Sequence, residues 1–304
     1  MKSPVVILGP TASGKSDVAM AAAQEVSGTE IVAVDAMQVY RGMDIGTAKP
    51  TSEDRAAVTH HGLDLVAPTA EMSVTEFRRA SDAAIAMIDS DPRARALLVA
   101  GTGLYLTAIL DRLELPGTWP DVKMELEADA DTAAHFTRLE QLDPGAAAKI
   151  DPANRRRIVR ALEVTIGSGR PFSSFGPGVS AFPPTDAVQI GIRWPRAALT
   201  ERIEQRVHVM MARGLLDEVA LLATEGLSPT ARQALGYKEL LDHLEGQASL
   251  DDAVTAIAVR TRQFAVRQER WFRRDPRIRW MDIDPDAADP LDAVRAVVVA
   301  ELRK

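Results

Sequence analysis

Gly9, Pro10, Thr11, Ala12, Ser13, Gly14, Lys15 and Ser16 fit the pattern G-x-x-x-x-G-K-[ST], and chemistry is expected there first. The two glycines let backbone N–H groups turn toward an anion, and a following helix N-terminus adds partial positive charge. Lys15 is placed to reach a terminal phosphate, and the Ser16 hydroxyl to meet a magnesium ion. Asp35 is the second candidate. A carboxylate at the end of a strand beside a phosphate loop holds a metal ion or acts as a general base. Its plainer alternative is a strand-ending cap. Two arginine clusters complete the set. One is Arg155, Arg156, Arg157 and Arg160, in which Arg156 and Arg160 fall one helical turn apart. The other runs from 255 to 280, where eight arginines stand among Gln263, Phe264, Gln268 and Trp271 against only Glu269 and Asp275. Arginine interleaved with amides and aromatics suits phosphates and bases, although Phe264 and Trp271 are equally suited to a core.

These groups need a frame. Residues 5–8 read as a buried strand and 16–26 as a helix, the setting that a phosphate loop requires. A second strand at 30–34 ends at Asp35, and a long polar loop spans 36–50. An apolar run at 63–66 follows His60 and His61. A helix over 73–88 opens on the capping box Ser73-Val74-Thr75-Glu76, and a strand at 97–100 leads through Gly101-Thr102-Gly103 into a helix over 104–112. Alternating strands and helices imply a parallel sheet whose ligands sit beyond the carboxyl ends of the strands. The loops 9–16, 35–49 and 101–103 are therefore expected to converge.

The pattern changes after Leu115. Helices are expected at 121–130, 132–142 and 154–166, then a Gly/Pro/Ser-rich loop over 169–184. A strand at 188–192 precedes helices at 199–211, 214–224, 237–244 and 250–274, a short strand at 278–283 and a helix at 291–302. The fold expected is α/β: a P-loop NTPase-like parallel-sheet core formed by 1–116 and 186–304, with a helical insertion at 117–185 and a helical C-terminal part.

At 304 residues, 46% of them hydrophobic and 26% charged, the chain has the balance of a soluble globular protein with an ample core. It contains no cysteine, which excludes disulfides, thiolate metal sites and a cysteine nucleophile. Only Met1, Lys2 and Ser3 precede the first strand, and no apolar run approaches the ~20 residues of a membrane span, so a cytoplasmic protein is expected. The net charge of −7 argues against indiscriminate coating of nucleic acid, while the local arginine clusters suit one defined anionic partner. A GTPase is disfavoured, because its Asn-Lys-x-Asp motif cannot be met by Asn154, which is followed by Arg155. A motor-type ATPase is disfavoured because the strand at 97–100 ends in glycine and threonine. A small-molecule or nucleoside kinase and a non-catalytic RNA-binding protein both remain open.

Taken together, the motifs resemble the tRNA dimethylallyltransferases, also called tRNA isopentenyltransferases. The resemblance rests on GPTASGKS at 9–16, VDAMQVYRGMDIGTAKP at 34–50, HHGLDL at 60–65 and AGTGLYL at 100–106. It continues through DPANRRRIVRALEV at 151–164, RIEQRVHVMMARGLLDEV at 202–219, LGYKEL at 235–240 and TRQFAVRQERWF at 261–272. It implies a magnesium-dependent transfer of a dimethylallyl group from its diphosphate to N6 of the adenosine 3′-adjacent to the anticodon, in tRNAs reading codons that begin with U. By the same resemblance, residues 9–16 hold the diphosphate, with Thr11 and Lys15 in catalytic roles, and Asp35 accepts the amine proton. The tRNA contacts fall on Asp35, Ala36, Met37, Gln38, Thr102, Lys123, Arg156, Arg157, Ile158, Val159 and Arg160, with Gln38 reading the flipped adenine through its amide. The insertion is expected to grip the anticodon stem-loop. No membrane and no obligate protein partner are implied.

Four positions depart from the family pattern: Ala36 for serine, Ala100 for glycine, Val266 for lysine and Arg270 for threonine. They bear on tRNA contacts more than on the reaction. Asp35→Ala is expected to abolish turnover while leaving tRNA affinity largely intact. Measured rates and dissociation constants check this, since equal losses of both would make Asp35 a contact residue.

Overall fold

The computed structural model describes residues 3–176 and 178–304. Met1 and Lys2, ahead of the first strand, and Pro177, in the expected loop over 169–184, lie outside them. Six strands, β1 Val5–Leu8, β2 Thr29–Val34, β3 His60–His61, β4 Arg95–Ala100, β5 Val188–Arg193 and β6 Ile278–Asp282, form one parallel sheet in the order β3-β2-β4-β1-β5-β6. The apolar runs explain why these segments are interior. β1 is buried throughout, and β2 and β4 nearly so. With side chains alternating across a sheet, Val6, Leu8 and Leu98 join one core and Ile7, Leu97 and Val99 the other. Helices Lys15–Glu25 and Asp292–Leu302 cover the second face. Helices Val74–Ser90, Tyr237–Leu244 and Leu250–Phe272 contribute to the first.

Register sets the level at which the strands end. Leu8 pairs with Ala100, and Ala100 with Val34, so Gly9, Gly101 and Asp35 leave three neighbouring strands at one height. The edge of the sheet differs from a simple reading of hydrophobicity. His60 and His61 pair with β2, whereas the apolar run 63–66 turns away at Gly62 (φ 81°) and Asp64 (φ 56°). That run instead lies along the polar loop. Asp64 N–H donates to Gln38 O (3.1 Å), Val66 N–H to Val39 O (3.0 Å) and Arg41 N–H to Val66 O (2.9 Å). The short helices Ser52–Ala57, Pro144–Ala147 and Pro229–Arg232 were not legible as apolar periodicity, since each is brief and held by a side-chain cap.

The chain forms two compact units, one of residues 1–110 and 184–304 and the other of 111–183. The second packs helices Pro120–Ala128, Thr132–Leu142, Pro144–Ala147 and Arg155–Ser168 around Leu126, Leu139, Ile158 and Leu162. Among the described residues no helix is long and apolar enough to cross a membrane.

Candidate active site

The loop after β1 is shaped as an anion cradle. Ala12 (φ 62°) and Gly14 (φ 83°) adopt left-handed conformations, and a Cβ on Gly9 would lie 2.9 Å from Ser13 Oγ. Loop carbonyls are held from outside: Ala12 O accepts from Arg202 Nε (2.8 Å) and Ser13 O from Trp194 Nε1 (3.0 Å). The Arg202 guanidinium also stacks 4.4 Å from the Trp194 ring centroid. Helix Lys15–Glu25 begins at Gly14 with no side-chain cap, leaving its first amides to an external acceptor. The Thr11 N–H already donates to Gln268 Oε1 (2.9 Å) and the Ser13 N–H to Pro10 O (3.3 Å), so the hydroxyl is the group Thr11 has left for a ligand.

Asp35, Lys15 and Gly101 meet at the level fixed by the sheet register. A Cβ on Gly101 would lie 3.0 Å from Asp35 Oδ2, tight enough to displace that carboxylate slightly, and 3.5 Å from Lys15 Cε, an ordinary contact. Asp35 Oδ1 accepts from Met37 N–H (2.8 Å) and Gln38 N–H (3.4 Å), while Oδ2 accepts no hydrogen bond among the described residues. Lys15 Nζ donates to Pro10 O (3.4 Å). Burial of its ammonium, followed by the nearby Arg206 charge, lowers the Lys15 pKa to about 8 against the opposing pull of Asp35 and Asp17. Arg206, from helix Arg196–Ala212, is likewise lowered by burial and raised by Asp35 and Asp17, and it has no hydrogen-bond or ion-pair partner among the described residues. Two half-buried cations, Lys15 and Arg206, thus share the field of the Asp35 and Asp17 carboxylates. Sequence reasoning assigned Arg206 no role. Its signal was an arginine on a helix that must cover the phosphate loop. Burial pushes the Tyr105 phenol up to about 12, with Tyr40 and Asp35 adding to the effect, so it stays protonated near neutrality.

The loop 36–50 is fixed by residues remote in sequence. Glu218 Oε2 accepts from the backbone N–H groups of Asp44 (3.0 Å) and Ile45 (2.7 Å), and Oε1 from Gly46 N–H (3.1 Å) and the Tyr237 hydroxyl (2.6 Å). Lys49 is buried, and its ammonium donates to Tyr40 O (2.6 Å), Asp44 (2.7 Å) and Asp64 (2.5 Å). Gln38 is held from this loop: its Nε2 donates to Thr47 O (3.0 Å) and Ala48 O (3.2 Å). The bidentate reading of an adenine by Gln38 is thereby revised. Its amide nitrogen is engaged, and only its oxygen is offered outward. Ala36 N–H donates to Thr102 Oγ1 (3.1 Å), which ties the loop after β2 to the turn after β4. Ala36 and Met37 pack against the core. A cleft of about 1380 Å³ is lined by Gly14, Lys15, Ser16, Gln38, Lys49 and Arg206, among others.

For a metal ion, no cluster of three or more acidic, histidine or cysteine side chains exists among the described residues. The donor chemistry fits a different arrangement. Ser16 is exposed on the first helical turn, a sparse protein contribution of the kind magnesium accepts when phosphate oxygens and water complete its shell.

The arginine clusters are only partly available. Arg260, Arg262, Arg273 and Arg277 pair with Glu239, Glu204, Glu269 and Asp275. Gln268 is buried rather than presented to a base, and Trp271 closes on Gly103, where a Cβ would lie 2.1 Å from its ring. In the 111–183 unit, Ile158 and Val159 are core residues at 0% and 4% exposure, so their side chains offer nothing to a tRNA. Arg160 donates to Pro116 O and Gly117 O (both 3.0 Å) and pairs with the buried Glu163 (2.9 Å), which also accepts from Trp119 N–H (2.8 Å). It is a clasp of its own unit. Arg156, Arg157 and Lys123 are exposed.

A family model described as IPP transferase matches residues 38–275. The chain is 48% identical over 290 residues to a tRNA dimethylallyltransferase of Pseudarthrobacter chlorophenolicus, covering 93% of this chain and 94% of the relative. It is 46% identical to that of Kineococcus radiotolerans, covering 97% and 95%. Among solved structures, the tRNA isopentenylpyrophosphate transferase of Bacillus halodurans is similar, with a TM-score of 0.71 at 35% identity over 100% of this chain and 97% of that one. A eukaryotic dimethylallyltransferase acting on tRNA gives a TM-score of 0.79 at 25% identity over 98% of this chain and 78% of its own.

Two outcomes follow from this geometry. Arg156→Ala is expected to lower tRNA affinity and flatten the slope of log affinity against log salt by about one, the loss of one phosphate contact. Arg160→Ala is expected to leave that slope unchanged and to lower the melting temperature. Salt titrations and thermal unfolding check both. Lys15 is charged below its pKa of about 8, so pyrophosphate affinity is expected to weaken as pH rises through that value, and Lys15→Arg to remove this part of the dependence. Calorimetric titration across that range checks it. The stability sign is opposite. Between about 8 and the unfolded value of 10.5 the unfolded chain binds more protons, so the Lys15 contribution to stability rises with pH.

Proposed function

The chain belongs to the IPP transferase family, and on that premise we propose that it transfers a dimethylallyl group from dimethylallyl diphosphate to N6 of the tRNA adenosine 3′-adjacent to the anticodon. The observation that carries this reading is Asp35 Oδ2, which accepts no hydrogen bond among the described residues and borders Gly101 as Lys15 of the phosphate loop does, with the Arg206 guanidinium unpaired nearby among those residues. A phosphoryl donor and an allylic diphosphate both fit a phosphate loop. A general base facing that loop suits an incoming amine.

In the reaction, the allylic C–O bond breaks and its electron pair leaves with pyrophosphate, while a C–N bond forms from the adenine N6. The N6 proton passes to Asp35 Oδ2. The adenine amine is a weak nucleophile because its lone pair is delocalised, so removal of the proton as the bond forms lowers the barrier. Loop amides, Lys15 and Arg206 stabilise the departing anion, with the Thr11 hydroxyl at the same site. Ser16 would offer its hydroxyl to a magnesium ion, which would supply charge neutralisation to the leaving group. Gln38 contributes its amide oxygen to the N6 hydrogen that is not removed. Thr102 orders the adenine side of the cleft through Ala36. Arg156, Arg157 and Lys123 supply phosphate contacts to the anticodon stem-loop, and the reaction belongs to the cytoplasm.

Incubating the protein and magnesium with unmodified tRNA and either dimethylallyl diphosphate or ATP tests this directly. N6-prenyladenosine in the nucleoside mass profile is expected with the first donor only. Its absence from well-folded tRNA contradicts the reading, and a phosphorylated product from ATP points to a kinase.

A further inference from the structure

The helix Leu250–Phe272 buries Thr261, Ala265, Gln268 and Phe272, a stripe at helical spacing in which Gln268 is the one amide. Its position in the core is costly unless both ends of the amide are paired, and they are. Oε1 accepts from Thr11 N–H (2.9 Å) and Nε2 donates to Gly101 O (2.7 Å). The side chain thus spans the two loops that flank the reacting groups, at 6% exposure. Asp35 Oδ2 and Lys15 Cε both border Gly101, at 3.0 Å and 3.5 Å from where a Cβ would lie, and the same Cβ would lie 3.6 Å from Gln268 Nε2. One turn on, Trp271 closes over Gly103, so the end of this helix holds the whole 101–103 turn.

We propose that Gln268 is a positioning residue, which fixes the phosphate loop to the Gly101 turn and thereby sets the distance between the cations that receive the leaving group and the carboxylate that receives the proton. The proposal rests on the prenyl-transfer reading. Gln268 reaches no substrate itself in this role. It acts through Thr11 and Gly101, on the rate of transfer and not on capture of the tRNA.

Gln268→Met keeps the side-chain length and volume and removes both hydrogen bonds. Its single-turnover rate at saturating tRNA and dimethylallyl diphosphate is expected to fall about tenfold to a hundredfold, the scale of a misplacement of about 1 Å. Its tRNA dissociation constant is expected to stay within about twofold. A folded variant with an unchanged rate overturns the proposal, as does a loss of tRNA affinity that accounts for the whole defect. Hydrogen exchange at the Thr11 amide of the unaltered chain reads the same clamp without any substitution. Slow exchange is expected with and without inorganic pyrophosphate, and fast exchange, or protection lost when pyrophosphate binds, overturns it. An unaltered chain that makes no prenyladenosine refutes the prenyl-transfer reading instead, and the Thr11 exchange still reports on the clamp.

Discussion

Three strands that stop at one level impose the constraint on which this site depends. Because Leu8, Ala100 and Val34 share a row of the sheet, the next residue of each strand emerges beside the others. Gly9 opens the anion cradle, Gly101 gives clearance, and Asp35 supplies a carboxylate. A slip of one residue would reverse the side chains of a strand between the two faces and separate these groups. The fully apolar interior of these strands therefore does more than stabilise the fold. It sets the register that brings opposite charges to one end of the sheet.

Register alone does not hold loops still. That work falls to polar side chains from the second half of the chain. Gln268 joins the phosphate loop to Gly101, Glu218 gathers three consecutive amides of the polar loop, and Trp194 and Arg202 hold its neighbour's carbonyls. The linkages are made by amide, carboxylate, guanidinium and indole groups, each with a hydrogen-bond partner on a loop, the condition under which buried polar groups confer order. The Glu218 carboxylate occupies the amides of Asp44, Ile45 and Gly46, so these are not offered to an anion. The departures at Ala36 and Arg270 are compatible with this framework. Ala36 uses its backbone N–H toward Thr102, and Arg270 is exposed.

What could be read from the sequence was local. The loop at 9–16 carries its spacing with it, and β-branched runs separated by helical periods gave the alternation that the sheet follows. Asp35 was legible because it ends such a run. Glu218, Arg206 and the clamp by Gln268 were not, since each acts across a separation that no pattern spans. The arginines misled for a related reason. Composition records charge but not pairing, and Arg160 or Arg260 spends its charge on a buried glutamate of its own unit. Ile158 and Val159 were legible in principle. With Leu162 they form an apolar helical stripe, which is a better signal of core than of contact.

On the proposed reading the site stabilises a departing anion and does not deliver a phosphate, and the fate of one oxygen decides between the two. With dimethylallyl diphosphate labelled by heavy oxygen at the bridge between carbon and phosphorus, the account predicts that the label leaves entirely in pyrophosphate while the tRNA gains a five-carbon unit and no phosphorus. Label or phosphorus recovered in the tRNA would contradict it.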